Sequence, residues 1–364
     1  MLHRPDLGFY DEGQDLSSID FYAKALGSFG EARVLPPTAF RSLQFSLLED
    51  EMIWTRDWTA VGCSDEIAEE GDLLPFTVGI HGIHVQRVGG AFKARFNKAQ
   101  HGGCRAIPQQ CQTGKKTKCS FTSCGYSRDR DAIPARDLGD DTPEMQQYLG
   151  LRPERLLTAH ADTFGPLIFV NLDLQPVPNG VALAELNRAG RFFEGSAHRA
   201  AAGKLEFPAN WKLLGQHLAA GETMSESDDG SWLLARSSVD GRSADVAWLF
   251  PNLVLIRAER VTCAIVLQHT AIGQTLCRYF VYGTAGETSS AFWSREIGRR
   301  AANAAADHHA TVRWGTNFRP ETKGAALPLQ ASPQGLWMQR LLARRAVQVS
   351  NGHFPQPIFQ HAGG

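Results

Sequence analysis

The stretch from Phe96 to Tyr126 concentrates residue types that bind metal ions. It contains His101 and four of the seven cysteines of the chain, set among glycines. Thiolate and imidazole groups hold zinc and iron–sulfur clusters in proteins. No two of these cysteines have the Cys-x-x-Cys spacing of a simple zinc knuckle. The stretch is therefore open to three interpretations: a metal site, the remnant of one, or a loop rich in sulfur.

Composition limits the kind of protein in which this stretch can lie. The chain has 364 residues, is 43% hydrophobic and carries a formal net charge of -1, which predicts two domains with buried cores. This balance gives no electrostatic basis for binding nucleic acid or an anionic membrane surface. We find neither an apolar signal segment nor a run of ~20 apolar residues that would span a membrane. The odd number of cysteines indicates reduced thiols, so we expect a soluble, cytoplasmic protein.

Hydrophobic periodicity divides the chain into three zones. Residues 1–58 form an N-terminal segment that contains an amphipathic lead-in helix between Pro36 and Trp58. Residues 59–165 alternate short apolar runs with glycines, as is typical of an all-β domain of hairpins. Residues 166–364 contain several strands in succession followed by helices, which indicates α+β packing with an antiparallel sheet.

The elements of the third zone are predicted individually. A helix is predicted near residues 210–220. Two further helical stretches are predicted at 288–312 and 333–347. Five strands are predicted from the apolar runs "SWLLARSSV", "VAWLF", "NLVLIRAE", "TCAIVLQHTAI" and "TLCRYFVYG".

The order of several short phrases resembles one protein family. A lead-in helix running into "WTAVG", then "EEGD", "FGPLIFVNLD", "FPANWKLL" and "FPNLVLI" are similar, in that order, to the α subunits of Rieske non-heme iron oxygenases, the aromatic-ring-hydroxylating dioxygenases. The resemblance covers residues 36 to 320. It implies an N-terminal all-β Rieske-like domain followed by a helix-grip (Bet v 1-like) domain with an antiparallel sheet. It also implies head-to-tail trimers in which the cluster of one subunit feeds the iron of the next.

Only half of the cluster ligands that the resemblance implies are present. A Rieske cluster needs two thiolates on one iron and two imidazoles on the other. The family supplies them as Cys-x-His in one loop and Cys-x-x-His in a second. Here these positions are Ala99 and His101, then Cys119 and Thr122. A methyl group cannot bind iron and a neutral hydroxyl is a poor substitute for imidazole, so we interpret the loops as an iron–sulfur remnant.

The remaining cysteines of this stretch leave an alternative open. Cys104, Cys111 and Cys124 lie close enough in sequence to join His101 and Cys119 around zinc or a rearranged [2Fe-2S] cluster. Free cysteines are also common as small packing residues. Because their spacing is irregular, we favour packing.

The second metal site of the family shows a similar loss. The resemblance implies a mononuclear iron held by two histidines after "NWK" and by an aspartate from a late helix. The histidine positions fall on Met224 and Asp229, and the aspartate corresponds to Asp307. A carboxylate that links this iron to the cluster of the neighbouring subunit falls on Gly221, although Glu222 lies next to it and a shift of one residue would restore an acid.

No shift of the alignment restores the histidines, because the chain has none between His217 and His269. His217, His308 and His309 are the only other candidate ligands, and we expect them to be solvated on helix surfaces. A metal held by Asp229 and Asp307 stays open as an alternative.

Together these losses predict a degenerate α-subunit homologue, a pseudoenzyme with no catalytic residue and no cofactor. Its expected role is structural or regulatory, as the partner of an active Rieske oxygenase α subunit in a homo- or hetero-oligomer built on trimers. The alternative is an oxidoreductase of the same fold that uses rearranged ligands for zinc, iron or a cluster and acts on a small organic substrate. Binding of a small molecule in the apolar cavity of the helix-grip fold is a further possibility.

Overall fold

The computed structural model describes the chain in ranges. These are residues 8–96, 132, 134–138, 157–193, 198–283, 288–316 and 329–350. The chain divides into two compact units, one formed by Met1–Ile53 with Pro178–Gly364 and the other by Trp54–Val177. The N-terminal segment, treated above as a zone of its own, therefore groups with the C-terminal part of the chain.

The N-terminal part of the first unit consists of a two-stranded hairpin and short helices. They are β1 (Tyr10–Asp11), β2 (Gln14–Asp15), α1 (Ile19–Tyr22), α2 (Thr38–Arg41) and α3 (Leu43–Glu49), with a π-helical turn at Asp50–Trp54. The predicted lead-in helix is thus divided at Ser42, whose extended backbone ends α2. The Ser42 hydroxyl then accepts a hydrogen bond from the backbone N–H of Phe45 and caps α3.

The second unit is built on a six-stranded antiparallel sheet with the order β3-β8-β7-β6-β5-β4. Its strands are β3 (Thr59–Cys63), β4 (Leu73–Val78), β5 (His81–Val88), β6 (Ala91–Phe96), β7 (Thr158–Phe164) and β8 (Leu167–Asn171). Buried apolar side chains such as Val61, Phe76, Ile83 and Ile168 form its core. The predicted all-β character of this region is confirmed.

The first unit contains a seven-stranded antiparallel sheet with the order β10-β11-β12-β13-β14-β15-β9. Its strands are β9 (Arg199–Phe207), β10 (Glu222–Glu226), β11 (Trp232–Val239), β12 (Arg242–Leu249), β13 (Leu253–Ala258), β14 (Val261–Ala271) and β15 (Gln274–Tyr282). The five predicted strands correspond to β11–β15 and are confirmed, whereas β9 and β10 were not predicted. The α+β class with an antiparallel sheet is confirmed.

In the described part of this unit, five helices accompany the sheet. They are α4 (Gly180–Gly190), α5 (Trp211–Leu218), α6 (Ser290–Arg300), α7 (Ala304–Thr316) and α8 (Pro333–Ser350). The predicted stretch 288–312 is therefore two helices, and α4 was not predicted. None of the helices in the described ranges has the length and apolarity of a membrane span.

The close approach of α5 to the sheet depends on a glycine. A Cβ atom at Gly215 would lie 2.4 Å from the indole of Trp248 on β12, so a larger side chain would push the helix away. On the same face Trp248 packs against Trp337 of α8, with ring centroids 5.3 Å apart. Consequently α5 is buried over most of its length, and polar side chains on it have to find partners within the protein.

Candidate functional site

The candidate site lies on α5 and the residues that follow it, because the family resemblance places the iron ligands after "NWK". Asn210 fixes the start of this helix, since its Oδ1 accepts a hydrogen bond from the backbone N–H of Lys212 at 3.2 Å. Its Nδ2 donates to the carbonyl oxygen of Ile272 at 2.7 Å, in the turn between β14 and β15. One side chain therefore caps the helix and attaches it to the sheet.

Lys212 forms a buried ion pair with Glu49 of α3. The Nζ atom lies 2.5 Å from Oε1 of Glu49, and the two side chains are 0% and 6% exposed. The ammonium group also lies 5.2 to 5.4 Å from the ring centroids of Phe40, Phe45 and Trp211. Burial raises the pKa of Glu49, which the Lys212 charge opposes, and burial lowers the pKa of Lys212. This pair is a structural anchor of α5 in the core.

Arg300 of α6 holds the other end of α5. Its Nη1 donates to the carbonyl oxygens of Leu218 at 3.2 Å and Ala220 at 3.5 Å. Its Nη2 donates to the carbonyl oxygen of Ser238 on β11 at 2.7 Å. Glu296 accepts from Nε at 2.8 Å and keeps the guanidinium oriented. The carbonyls that a helix leaves unpaired at its C-terminus are thus bound by a buried arginine.

His217 and Asp307 connect α5 to α7. The His217 Nε2 lies 2.7 Å from Oδ2 of Asp307, and the two side chains are 22% and 34% exposed. The aspartate matched to the family's late-helix iron ligand therefore contacts an imidazole. His217 was expected to be solvated, and instead it is held between two helices.

The segment after α5 forms an edge strand. Residues Glu222–Glu226 pair with β11, and the register shifts between Thr223 and Ser225. Met224 therefore sits on a β-bulge, and its side chain is 49% exposed. A Cβ atom at Gly221 would lie 2.5 Å from the carbonyl oxygen of Arg236, so this position has no room for a carboxylate side chain.

Asp229 lies in the turn that joins β10 to β11. Its Oδ1 accepts hydrogen bonds from the Ser227 hydroxyl at 2.7 Å and from the backbone N–H of Ser231 at 2.8 Å. Burial alone would raise the pKa of Asp229, but these hydrogen bonds and the charge of Arg345 lower it. The carboxylate therefore acts as a turn-forming group.

These positions do not fit a mononuclear iron. Met224 is exposed on the edge strand β10, and the Asp229 carboxylate is hydrogen-bonded within the turn that follows. Two ligands of one metal ion must instead converge within a few ångströms of it. Within the described ranges no group of three or more His, Cys, Asp and Glu side chains could hold a metal ion. The structure thus brings Asp307 together with His217, and keeps Asp229 in a turn of its own.

The cluster positions can be assessed by residue type alone. Ala99, His101, Cys119 and Thr122 lie outside the described residues, as do Cys104, Cys111 and Cys124. A Rieske cluster requires two thiolates and two imidazoles, and the first set offers one of each. The donor set at the four family positions therefore does not fit this cluster.

A buried polar group lies on the strands that precede these loops. His84 of β5 is fully buried and is paired across the ladder with Arg95 of β6. Among the residues that the structure describes, neither ring nitrogen of His84 has a hydrogen-bond partner. Arg95 donates from Nη1 to Oε1 of Gln86 at 2.9 Å. Burial, assisted by the Arg95 charge, lowers the pKa of His84 to about 3, so the imidazole is neutral at physiological pH.

Two histidines of the first unit, His269 and His308, are buried as well. His308 is 9% exposed and packs so closely against Gly273 that a Cβ atom there would lie 2.3 Å from its Nε2. His269 is 8% exposed, and burial lowers its pKa to about 4. The expectation of a solvated surface histidine is wrong for His308; of the three candidates His217, His308 and His309, only His309 is exposed. The sequence offered no signal for the role of Arg300 or for the burial of His269, because both depend on packing between distant segments.

Two curated proteins are similar to part of the chain. The N,N-dimethyl phenylurea N-demethylase subunit alpha of Sphingobium sp. (strain YBL2) is 29% identical over 120 residues, which is 33% of this chain and 25% of that protein. The glycine betaine monooxygenase oxygenase subunit of Chromohalobacter salexigens is 29% identical over 183 residues, or 50% of this chain and 40% of that protein. The matched stretches therefore span less than half the length of these relatives. No model of a known protein family matches the chain.

Solved structures are similar over nearly the whole chain. A quaternary ammonium Rieske monooxygenase, whose structure gives insights into carnitine oxidation by gut microbiota and inter-subunit electron transfer, has a TM-score of 0.58 and 16% identity over 90% of this chain and 98% of that one. The naphthalene 1,2-dioxygenase from Rhodococcus sp. bound to indole has a TM-score of 0.55 and 13% identity over 92% of this chain and 99% of that one. At these identities the likeness concerns the fold.

Proposed function

This chain shares the fold of the Rieske oxygenase α subunits and is related to oxygenase subunits in sequence, and from that premise we propose that it is a non-catalytic α-like subunit. Its role is to support an active oxygenase as a structural or regulatory partner. One observation carries the proposal: the segment that should present two iron ligands is an extended edge strand, with Met224 exposed and Asp229 bound within a turn.

The residue types at the cluster positions support the same proposal. A chain with Ala99 and Thr122 in place of a thiolate and an imidazole cannot hold an ordinary Rieske cluster. A loss at one metal site alone could reflect an error of alignment. Loss of ligand residues at two sites, within a scaffold that keeps the family fold, is consistent with a subunit that no longer catalyses the reaction.

The assembly follows from how electrons pass between subunits in the head-to-tail trimers that the resemblance implies. One copy of this chain inside an active trimer would interrupt two electron paths, the one that it donates and the one that it receives. A trimer of this chain stacked on a trimer of an active α subunit keeps every contact between active subunits. The trimer axes can coincide, so the stacking is geometrically simple. We therefore propose a mixed oligomer of two such layers. We place it in the cytoplasm, where free thiols such as Cys63, Cys263 and Cys277 are stable.

Metal analysis and spectroscopy of the purified protein test the non-catalytic role. We expect neither the visible absorption nor the low-temperature electron paramagnetic resonance of a Rieske centre, whether the protein is purified with or without air. Recovery of about two irons and two sulfides per chain would contradict the proposal and would require replacement ligands such as Cys104 or Cys124. Oxygenase activity of the unmodified chain alone would also overturn it.

Native mass spectrometry after co-expression with an active Rieske oxygenase tests the assembly. A complex with equal numbers of the two chains supports the stacked layers. A purely homo-oligomeric product that leaves the activity of the oxygenase unchanged would remove the partner role. If metal analysis of the purified chain instead finds iron or zinc at a fixed ratio to protein, the alternative of an oxidoreductase with rearranged ligands is favoured.

A further inference from the structure

We infer that α8 acts as an internal strap that holds residues 221–230 as an edge strand, so that restoring the two histidines alone would not restore an iron site. This deepens the proposed function and rests on it, because it explains how the site can be lost in conformation as well as in residue type. The contacts between α8 and residues 221–230 all lie within the first unit.

The strap contacts the segment near its beginning and its middle. The Gln334 Nε2 donates to the carbonyl oxygen of Gly221 at 2.7 Å, and Gln334 is 2% exposed. The Arg340 Nη2 donates to Oε2 of Glu226 at 2.9 Å, in a more exposed pair. Because the Gln334 side chain is buried and the Arg340–Glu226 pair is exposed to water, the Gln334 contact is the stronger restraint.

The strap also contacts the end of the segment. Gly230 has a φ of +77°, and a Cβ atom there would lie 2.7 Å from Cδ2 of Leu341. Leu341 is 2% exposed, so α8 closes tightly over the turn. The turn itself is fixed by the hydrogen bonds of Asp229 to Ser227 and Ser231.

The opposite side of the segment is held by the sheet. β10 pairs with β11 from Glu222 to Glu226. Arg300 binds the carbonyl oxygens of Leu218 and Ala220 just before β10 begins. The segment is therefore restrained at its start, along its length and at its turn. For residues 221–230 to leave the edge strand and its turn and rearrange around a metal ion, β10 would have to leave β11 and break the contacts with α8.

Hydrogen exchange of the full chain measures the strap directly. In the unaltered protein we expect the amides of residues 222–226 to be protected. Gln334→Ala should accelerate exchange in this peptide about tenfold, because one buried hydrogen bond is removed. Gln330→Ala is the matched control, since Gln330 contacts the carbonyl oxygen of Gly30 and not β10. Unprotected amides in the unaltered chain, or equal rates in the two variants, would overturn the inference.

Iron uptake provides the second measurement. The variant Met224→His with Asp229→His, incubated anaerobically with ferrous iron and desalted, should retain only substoichiometric iron. The same variant carrying Gln334→Ala and Arg340→Ala should retain more. About one iron per chain with the strap intact, or equally low iron in both variants, would overturn the inference.

The two measurements separate this inference from the proposed function. Stoichiometric iron in the unaltered chain would overturn the proposed function. Stoichiometric iron only in the double-histidine variant with its strap intact would overturn the strap alone. If the variant with all four substitutions fails to fold, the exchange rates of Gln334→Ala and Gln330→Ala still test the strap.

Discussion

The Nε2 atom of His217 lies 2.7 Å from Oδ2 of Asp307, and this contact joins the C-terminal turn of α5 to the first turn of α7. The family resemblance matches Asp307 to the one iron-ligand position that keeps its residue type. Its carboxylate is engaged by a side chain of the same chain, so the two helices are connected directly.

His217→Ala should lower the free energy of unfolding by about 1 kcal/mol, because it removes one partly exposed hydrogen bond. His309→Ala, in the same helix as Asp307 but exposed, should change it by less than about 0.5 kcal/mol. Urea unfolding followed by tryptophan fluorescence measures both. Equal effects of the two substitutions would show that the contact does not stabilise the protein.

Arg300→Lys should destabilise the protein by about 2–3 kcal/mol, because an ammonium group cannot replace the guanidinium fork that binds Leu218, Ala220 and Ser238. Arg299→Lys is the matched control: Arg299 also binds Glu296, but its side chain is 61% exposed against 4% for Arg300. We expect the control to cost under about 0.5 kcal/mol. Thermal unfolding of the two variants gives the comparison, and similar losses in both would contradict the role of Arg300.

Lys212→Met should cost about 3–5 kcal/mol, because Glu49 would be left as an unpaired buried charge. Adding Glu49→Met should recover much of this loss, so a double-mutant cycle should give a large coupling energy. Simple addition of the two single effects would mean that the ion pair contributes nothing.

The Lys212→Met variant should also depend on pH in a defined direction. Burial raises the pKa of Glu49, so the folded state binds this proton more tightly than the unfolded chain does. Stability should therefore be greatest at acidic pH and should fall as the pH rises through the folded pKa. Urea midpoints measured at several pH values test this, and a flat profile would contradict it.

His84 should make the second unit sensitive to acid. Burial lowers its pKa from the ordinary value of 6.5 to about 3, so between these values the unfolded chain binds the extra proton. Stability present above pH 6.5 is therefore lost as the pH falls toward 3. His84→Leu should flatten this part of the profile, whereas His160→Leu, at an exposed position of β7, should not. Circular dichroism during acid titration compares them, and an unchanged acid midpoint in His84→Leu would refute the assignment.

The fold class and the five central strands were predictable from the sequence alone. The apolar runs that became β11–β15 are long and rich in residues that favour sheets, so local pattern and tertiary structure agree. The loss of donor atoms at Ala99 and Thr122 is likewise a matter of residue type, and needs no coordinates.

The conformation of the candidate iron site depends on contacts between segments that are distant in sequence. The residues of β10 are mostly polar and lack a hydrophobic period; they form a strand because β11 pairs with them and α8 binds Gly221 just before them. Lys212 is buried because Glu49, 163 residues away in sequence, neutralises it, and His217 meets Asp307 across 90 residues. Periodicity reports only the neighbours of a residue along the chain. These contacts join segments that folding brings together, and the burial of each charge depends on a partner that local sequence cannot identify.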